Sequence, residues 1–121
     1  MKRLVFACLI ALVPTAAPAW LAQNGLIVKP SPGGFEVPYR GLSGARDFWC
    51  AAGDYVVREL GRSPDTLIYR TSSPPRRSGQ GIRFSLSPEG AKKPGIFLLS
   101  GRRGVSAGMA RDFCQKLDRE S

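Results

Sequence analysis

The chain has 121 residues, carries 18 Lys and Arg against 9 Asp and Glu, and contains no histidine. Its formal charge of +9 keeps a protein soluble and also attracts anionic partners. The absence of histidine excludes histidine-dependent catalysis and the commonest ligand of transition-metal sites, so no cofactor or metal is expected.

The first nineteen residues have the three parts of a secretory signal peptide. Met1-Lys2-Arg3 is a basic start, the run from Leu4 to Val13 is apolar, and Ala17-Pro18-Ala19 offers small residues for cleavage before Trp20. An uncleaved anchor is disfavoured, because the stretch barely reaches the ~20 apolar residues that span a bilayer and prolines interrupt it. Residues 1–19 are therefore predicted to be removed, leaving a periplasmic or secreted protein with no transmembrane segment.

The mature chain of about 100 residues is long enough for one compact domain and too short for two. Residues 20–34 contain Pro30, Pro32 and Gly33-Gly34, which predicts an extended, loosely held arm. Residues 35–121 are predicted to form a single α+β domain, with an edge strand over Phe35–Tyr39.

Apolar residues recur at helical spacing in two later segments. Over Ala45–Leu60 they form one broad face, while Asp47, Asp54 and Arg58 fall on a polar face expected to lie in solvent. A second helix is predicted from Ser106 to about Arg119.

Between these helices lie three strand candidates separated by segments rich in proline and glycine: Leu67–Thr71, Ile82–Ser87 and Ile96–Leu99. The predicted fold is α+β, with a small antiparallel sheet of three to four strands flanked by two helices in the order (β)-α-β-β-β-α.

Cysteine use supports an oxidising compartment. Cys50 and Cys114 remain once the signal peptide is gone, and their spacing is not that of metal ligands. One disulfide joining the two helices is expected. A reactive thiol is the disfavoured alternative, because no histidine or nearby second cysteine is present to lower its pKa.

Two segments carry a resemblance. The residues Gly-Ala-Arg-Asp-Phe-Trp-Cys-Ala-Ala-Gly-Asp-Tyr (44–55) and Tyr-Arg-Thr-Ser-Ser-Pro-Pro-Arg-Arg-Ser-Gly (69–79) lie in a run from Tyr39 to Ala91 that resembles small exported alphaproteobacterial proteins of unassigned function. The resemblance implies export and a small domain, and it implies no catalytic residue.

Paired arginines suggest a binding surface. In the predicted meander, the exits of the first and third strands lie at one end of the sheet, just before the last helix, while Lys92 and Lys93 lie at the opposite end. Arginine forks and free helix N–H groups bind phosphate, carboxylate and sulfate. The candidate anion-binding residues are Arg76, Arg77, Arg102, Arg103 and Ser106. The alternative is that these arginines are solvated and only maintain solubility.

Two functional hypotheses remain. The first is a non-catalytic envelope module that binds an anionic envelope polymer, a lipid head group or a protein; nucleic acid is disfavoured because export separates the chain from it. The second is a small periplasmic hydrolase or inhibitor with a site between sheet and arm. The sequence leaves enzymatic activity undecided but favours the non-catalytic hypothesis, since no catalytic residue set is found. The oligomeric state is left open.

Overall fold

In a computed structural model of the protein, the described residues are 19–41, 44–96, 98 and 101–119, with the side chains of 115–119 excepted. Almost all of the predicted signal peptide, residues 1–18, lies outside them. The elements are β1 (Trp20–Leu21), β2 (Ile27–Ser31), β3 (Gly34–Val37), α1 (Ala45–Asp54) continued by a π-helical turn (Tyr55–Glu59), β4 (Leu67–Arg70), β5 (Ile82–Ser85), β6 (Val105–Ser106) and α2 (Ala107–Arg119).

The strands form one antiparallel sheet in the order β1-β2-β3-β5-β4-β6. The prediction of three to four strands is therefore wrong, although the α+β class and the two helices are correct. Two of the additional strands, β1 and β2, come from residues 20–34, which the sequence suggested to be an arm. Leu26 and Val28 of this segment are fully buried in the core, and that burial holds it in the sheet.

A two-residue turn joins β2 to β3. Ser31 pairs with Gly34 across the turn, and Gly33 has a φ of 79°, as the third position of a type II turn after proline requires. Gly34 then lets β3 approach β5 closely, because a Cβ there would lie 2.0 Å from the Phe84 carbonyl oxygen.

The predicted strand Ile96–Leu99 is also wrong at its two described residues. Ile96 and Leu98 lie in irregular chain and pack, partly buried, against the core; Phe97 and Leu99 lie outside the described residues. The strand that follows β5 is Val105–Ser106, which pairs with Leu67 and Ile68 of β4. The hydrophobicity of Ile96 and Leu98 thus reflects partial burial in irregular chain rather than in a strand.

Both helices pack on the sheet and against each other. Gly53 is at the close contact between them, since a Cβ there would lie 2.7 Å from both the Ala107 carbonyl oxygen and the Ala110 Cβ. The disulfide between Cys50 and Cys114 is confirmed, with Cα atoms 5.0 Å apart. Within the described ranges, no helix is both long and apolar enough to span a membrane.

The polar face predicted for α1 is not solvated at Asp47 and Asp54, which are both buried. The Asp54 carboxylate accepts a hydrogen bond from the Gln23 backbone N–H at 3.0 Å. It also pairs with Arg58 at 2.9 Å and with Arg111 on α2 at 3.7 Å. This buried carboxylate therefore joins the β1–β2 turn to both helices, which explains its position inside the protein.

Candidate anion-binding site

Arg70 is the least expected residue of the core. It ends β4 on the side of the sheet that Ile68 shares, and only 2% of its surface is exposed. Its Nε donates a hydrogen bond to the Ser72 carbonyl oxygen at 2.9 Å. Its Nη2 is buried without a hydrogen-bond partner, and no carboxylate among the described residues forms an ion pair with it. A buried guanidinium with an unused donor needs an explanation, because burying an unpaired charge is costly.

Arg70 lines a surface recess of about 490 Å³. The recess lies between the start of α1, the β4–β5 loop, the first residue of β5 and Gly95. The residues that line it are Ala45, Arg70, Pro74, Pro75, Arg76, Ile82 and Gly95.

The wall formed by Gly95 is held in place by α1. The Trp49 indole N–H, buried in the core, donates to the Pro94 carbonyl oxygen at 2.9 Å. This bond fixes the residue before Gly95, where a Cβ would lie 2.5 Å from Arg70 Nη1. Glycine at 95 therefore leaves the space that the Arg70 guanidinium occupies.

Arg76 forms the second cationic wall. Its Nη1 donates to the carbonyl oxygens of Arg77 at 3.1 Å and Gln80 at 2.7 Å. Its guanidinium lies 5.0 Å from the centre of the Phe48 ring and 5.4 Å from that of Tyr39, within the range of cation–π contacts. These contacts hold the positive charge of Arg76 at the recess.

The electrostatics of the recess are one-sided. Burial, and secondarily the positive charge of Arg76, lower the pKa of Arg70 from its ordinary value, but an arginine remains charged at neutral pH. None of the described residues that line the recess is Asp or Glu. An anion placed there would gain attraction from two cations and would offer a hydrogen-bond acceptor beside the Arg70 guanidinium.

A second recess of about 500 Å³ adjoins the first and shares Pro74 and Gly95 with it. Lys93, Arg102 and Arg103 line this second recess, and Arg103 Nη1 donates to the Ala91 carbonyl oxygen. The expectation that Lys93 lies at the end of the sheet opposite Arg102 and Arg103 is therefore wrong. It depended on the strand predicted at 96–99, whose described residues, Ile96 and Leu98, lie in irregular chain.

The five predicted site residues thus occupy different places. Arg76 lines the first recess, and Arg102 and Arg103 line the second. Arg77 is exposed and lines neither. Ser106 also lines neither; its hydroxyl accepts a hydrogen bond from the Met109 N–H at 3.2 Å and so caps α2.

Sequence reasoning missed Arg70, although a signal was present. Residues i and i+2 of a strand face the same side, so Arg70 shares the side of Ile68 in the predicted strand Leu67–Thr71. An arginine in phase with the apolar positions of a strand indicates a buried cation.

The other recesses and clusters offer no paired carboxylates or metal ligands among the described residues. Two recesses beside the sheet each have one carboxylate among their described lining residues, Glu36 in one and Glu89 in the other, whereas glycoside hydrolysis uses a facing pair. Among the described residues, no three His, Cys, Asp or Glu side chains converge to hold a metal ion. Comparisons with protein-family models, curated proteins and solved structures find no match to this chain.

Proposed function

We propose that this protein is an exported, non-catalytic envelope module that binds an anionic ligand in the recess of Arg70 and Arg76. The observation that carries the proposal is the buried Arg70 guanidinium, whose Nη2 has no hydrogen-bond partner. A bound oxyanion supplies the acceptor and the negative charge that the described protein groups do not.

Export is supported by two independent features. The basic, apolar and small-residue segments of 1–19 have the order of a cleavable signal, and the Cys50–Cys114 disulfide is typical of oxidising compartments. The resemblance of residues 44–55 and 69–79 to small exported alphaproteobacterial proteins agrees with this. β1 begins at Trp20, so cleavage before Trp20 leaves every described strand intact. Intact-mass measurement of protein recovered from the periplasm is expected to give a chain that starts at Trp20; a retained N-terminus in the membrane fraction would contradict the proposal.

Arginine suits an oxyanion because its planar fork donates two parallel hydrogen bonds to phosphate, sulfate or carboxylate. The recess, at about 490 Å³, lies within the range of small-ligand sites, about 300–1,000 Å³. The remaining walls, formed by Ala45, Pro74, Pro75 and Ile82, bear no charge. The ligand is therefore held at its anionic group, with the rest of the molecule against apolar surface.

The proposal is tested by isothermal titration calorimetry of the mature protein with inorganic phosphate and with sulfate at low ionic strength. Arg70→Met is the test variant, because methionine retains an unbranched apolar chain without the guanidinium. Arg83→Met is the matched control: Arg83 lies on β5, exposed and on the opposite side of the sheet from its buried neighbours Ile82 and Phe84.

We expect the dissociation constant to rise at least about tenfold in Arg70→Met, since a hydrogen bond to a charged group contributes about 1.5–3 kcal/mol. The Arg83→Met variant should differ from the wild type by less than about threefold, the effect of one exposed charge. Equal losses in both variants would show attraction to a basic surface instead of a site. Unchanged binding in Arg70→Met would remove Arg70 from the function.

A further inference from the structure

The two recesses adjoin each other, and the side chains that line them differ in chemical character. They share Pro74 and Gly95, so a ligand anchored at Arg70 reaches the second recess by passing this common wall. The first recess provides the buried donor of Arg70. The second is lined by the apolar residues Pro94, Ile96 and Leu98 and is bordered by exposed cations.

The second recess has an apolar floor. Pro94 is buried, and Ile96 and Leu98 are partly buried and packed against the core. Around this floor stand Lys93, Arg102 and Arg103, all exposed. An apolar floor inside a cationic rim complements a molecule that is itself both apolar and anionic.

Charge across the pair of recesses is of one sign. Among the described residues that line them, none is Asp or Glu and five are cationic: Arg70, Arg76, Lys93, Arg102 and Arg103. A sugar polymer or a simple polyanion would use these cations but would leave Ile96 and Leu98 without a matching surface. An acyl chain beside a phosphate matches both features.

We infer that the ligand is an anionic phospholipid, with its phosphate at Arg70 and the first part of its acyl chains on the floor of Ile96 and Leu98. This inference rests on the proposed function and specifies its ligand class. Together the recesses hold a headgroup and a short length of chain, so the lipid stays in its bilayer while the protein binds at the membrane surface. Lys93, Arg102 and Arg103 then face the anionic surface around the bound lipid.

The test compares two soluble ligands that share a headgroup. Glycerophosphoglycerol has the phosphate of phosphatidylglycerol without acyl chains, and dihexanoyl-phosphatidylglycerol adds short ones. We expect the wild type to bind the short-chain lipid at least about tenfold more tightly, because burial of two methylene groups corresponds to about that factor.

Three variants divide the contributions. Arg70→Met should weaken the binding of both ligands, and Ile96→Ser should remove only the gain from the acyl chains. Leu67→Ser is the control and should change the affinity for neither ligand, because Leu67 is an apolar residue of β4 with 44% of its surface accessible. Co-sedimentation with phosphatidylcholine vesicles containing phosphatidylglycerol should follow the same ranking. Because the two soluble ligands are compared on the wild type, the test holds even if Ile96→Ser fails to fold.

The outcomes separate the two proposals. Arg70-dependent binding of glycerophosphoglycerol with no gain from acyl chains would overturn the lipid inference and leave an anion-binding module. Vesicle binding that is equal in the wild type, Arg70→Met and Ile96→Ser would also overturn it, by showing attraction of a basic protein to an anionic surface. Absence of binding to phosphate and to both soluble ligands would overturn the proposed function together with the lipid inference.

Discussion

Reduction of the Cys50–Cys114 disulfide should cost this domain a large part of its stability. The bond links α1 to α2 across a sequence separation of 64 residues. Cys50 is fully buried and Cys114 is 5% exposed, so the link lies inside the helix pair. The perturbations we compare are reduction of the wild type, which keeps both sulfur atoms, and the double variant Cys50→Ala/Cys114→Ala, which removes them.

The magnitude follows from the length of the closed loop. For a sequence separation of 64 residues, the chain-entropy relation predicts that the disulfide lowers the entropy of the unfolded chain by about 14.5 cal/mol/K, which stabilises the fold by about 4.3 kcal/mol at 25 °C. Measured losses on removing a disulfide are commonly about 2–5 kcal/mol, and a small domain has about 5–15 kcal/mol in total. The alanine variant should lose about 1 kcal/mol more than the reduced wild type, because two buried sulfur atoms leave unfilled volume.

Urea unfolding followed by tryptophan fluorescence measures these differences. The oxidised protein should have the highest midpoint and the smallest m-value, since the intact bond keeps its unfolded state compact. The reduced wild type and the alanine variant should follow in that order. Identical midpoints with and without reductant would refute the argument that the link constrains the unfolded chain.

Two further predictions concern buried ionisable groups. Asp54→Ala should lower the free energy of unfolding by about 3 kcal/mol, because it leaves the buried Arg111 Nε without its carboxylate and removes the acceptor of the Gln23 N–H. Arg58→Met should cost under about 1 kcal/mol, since half of the Arg58 side chain is exposed. Chemical denaturation of both variants checks this, and equal losses would contradict it. Burial, and secondarily the negative charge of Glu59, raises the pKa of Tyr55. As the pH rises, the phenol therefore ionises in the unfolded chain before it ionises in the folded protein. The stability that this group contributes is fully present below about pH 10 and falls above that value. Tyr55→Phe should lose less stability than the wild type between pH 9 and about 11, and parallel pH profiles would exclude the assignment.

Local patterns predicted the helices and the disulfide because those features depend on nearby residues. The helical spacing over residues 45–60 reflects a buried face, and the structure has helix from Ala45 to Glu59, including the π-helical turn. The two cysteines could be paired because each lies beside the apolar face of its helix. The burial of Asp54 was not predictable in this way, since its partners Gln23 and Arg111 are distant in sequence.

The missed strands have a specific cause. Pro30 and Pro32 suggested an arm, yet β1 pairs only with Ile27 and Val28 of β2. Pro30 therefore lies beyond β1, at a free edge of β2, where a missing N–H removes no bond to a neighbouring strand. Pro32-Gly33 is itself a turn signal between residues that favour strands. The segment could have been predicted as a hairpin from that dipeptide, but not its attachment to the sheet, which depends on burial of Leu26 against distant residues.

The site was only partly predictable for a similar reason. Arg76, Arg102 and Arg103 attract notice because they occur in pairs on loops rich in glycine. Arg70 has no such neighbour in sequence, and its unused donor becomes visible only when the Ser72 carbonyl, Gly95 and the α1 helix have been placed around it. The unused donor of Arg70 is thus a consequence of tertiary packing and not of a local sequence pattern.

If Arg70 serves binding, its presence should lower the free energy of unfolding or leave it unchanged. A structural residue would instead raise the free energy of unfolding. Its guanidinium makes one hydrogen bond, to the Ser72 carbonyl, and Nη2 makes none. Replacing a buried group that lacks a partner with an apolar one of similar length is commonly neutral or stabilising. We therefore expect Arg70→Met to unfold in phosphate-free buffer at the same urea concentration as the wild type or a higher one.

Added phosphate should raise the wild-type midpoint by mass action, because it binds the folded state, and should leave that of Arg70→Met unchanged. The matched variant Arg83→Met should respond to phosphate as the wild type does, since Arg83 is exposed and lines neither recess. If Arg70→Met instead loses about 2 kcal/mol or more without any ligand, the guanidinium stabilises the fold through its existing contacts. Arg70 would then be a structural residue, and the argument from its unused donor would fail.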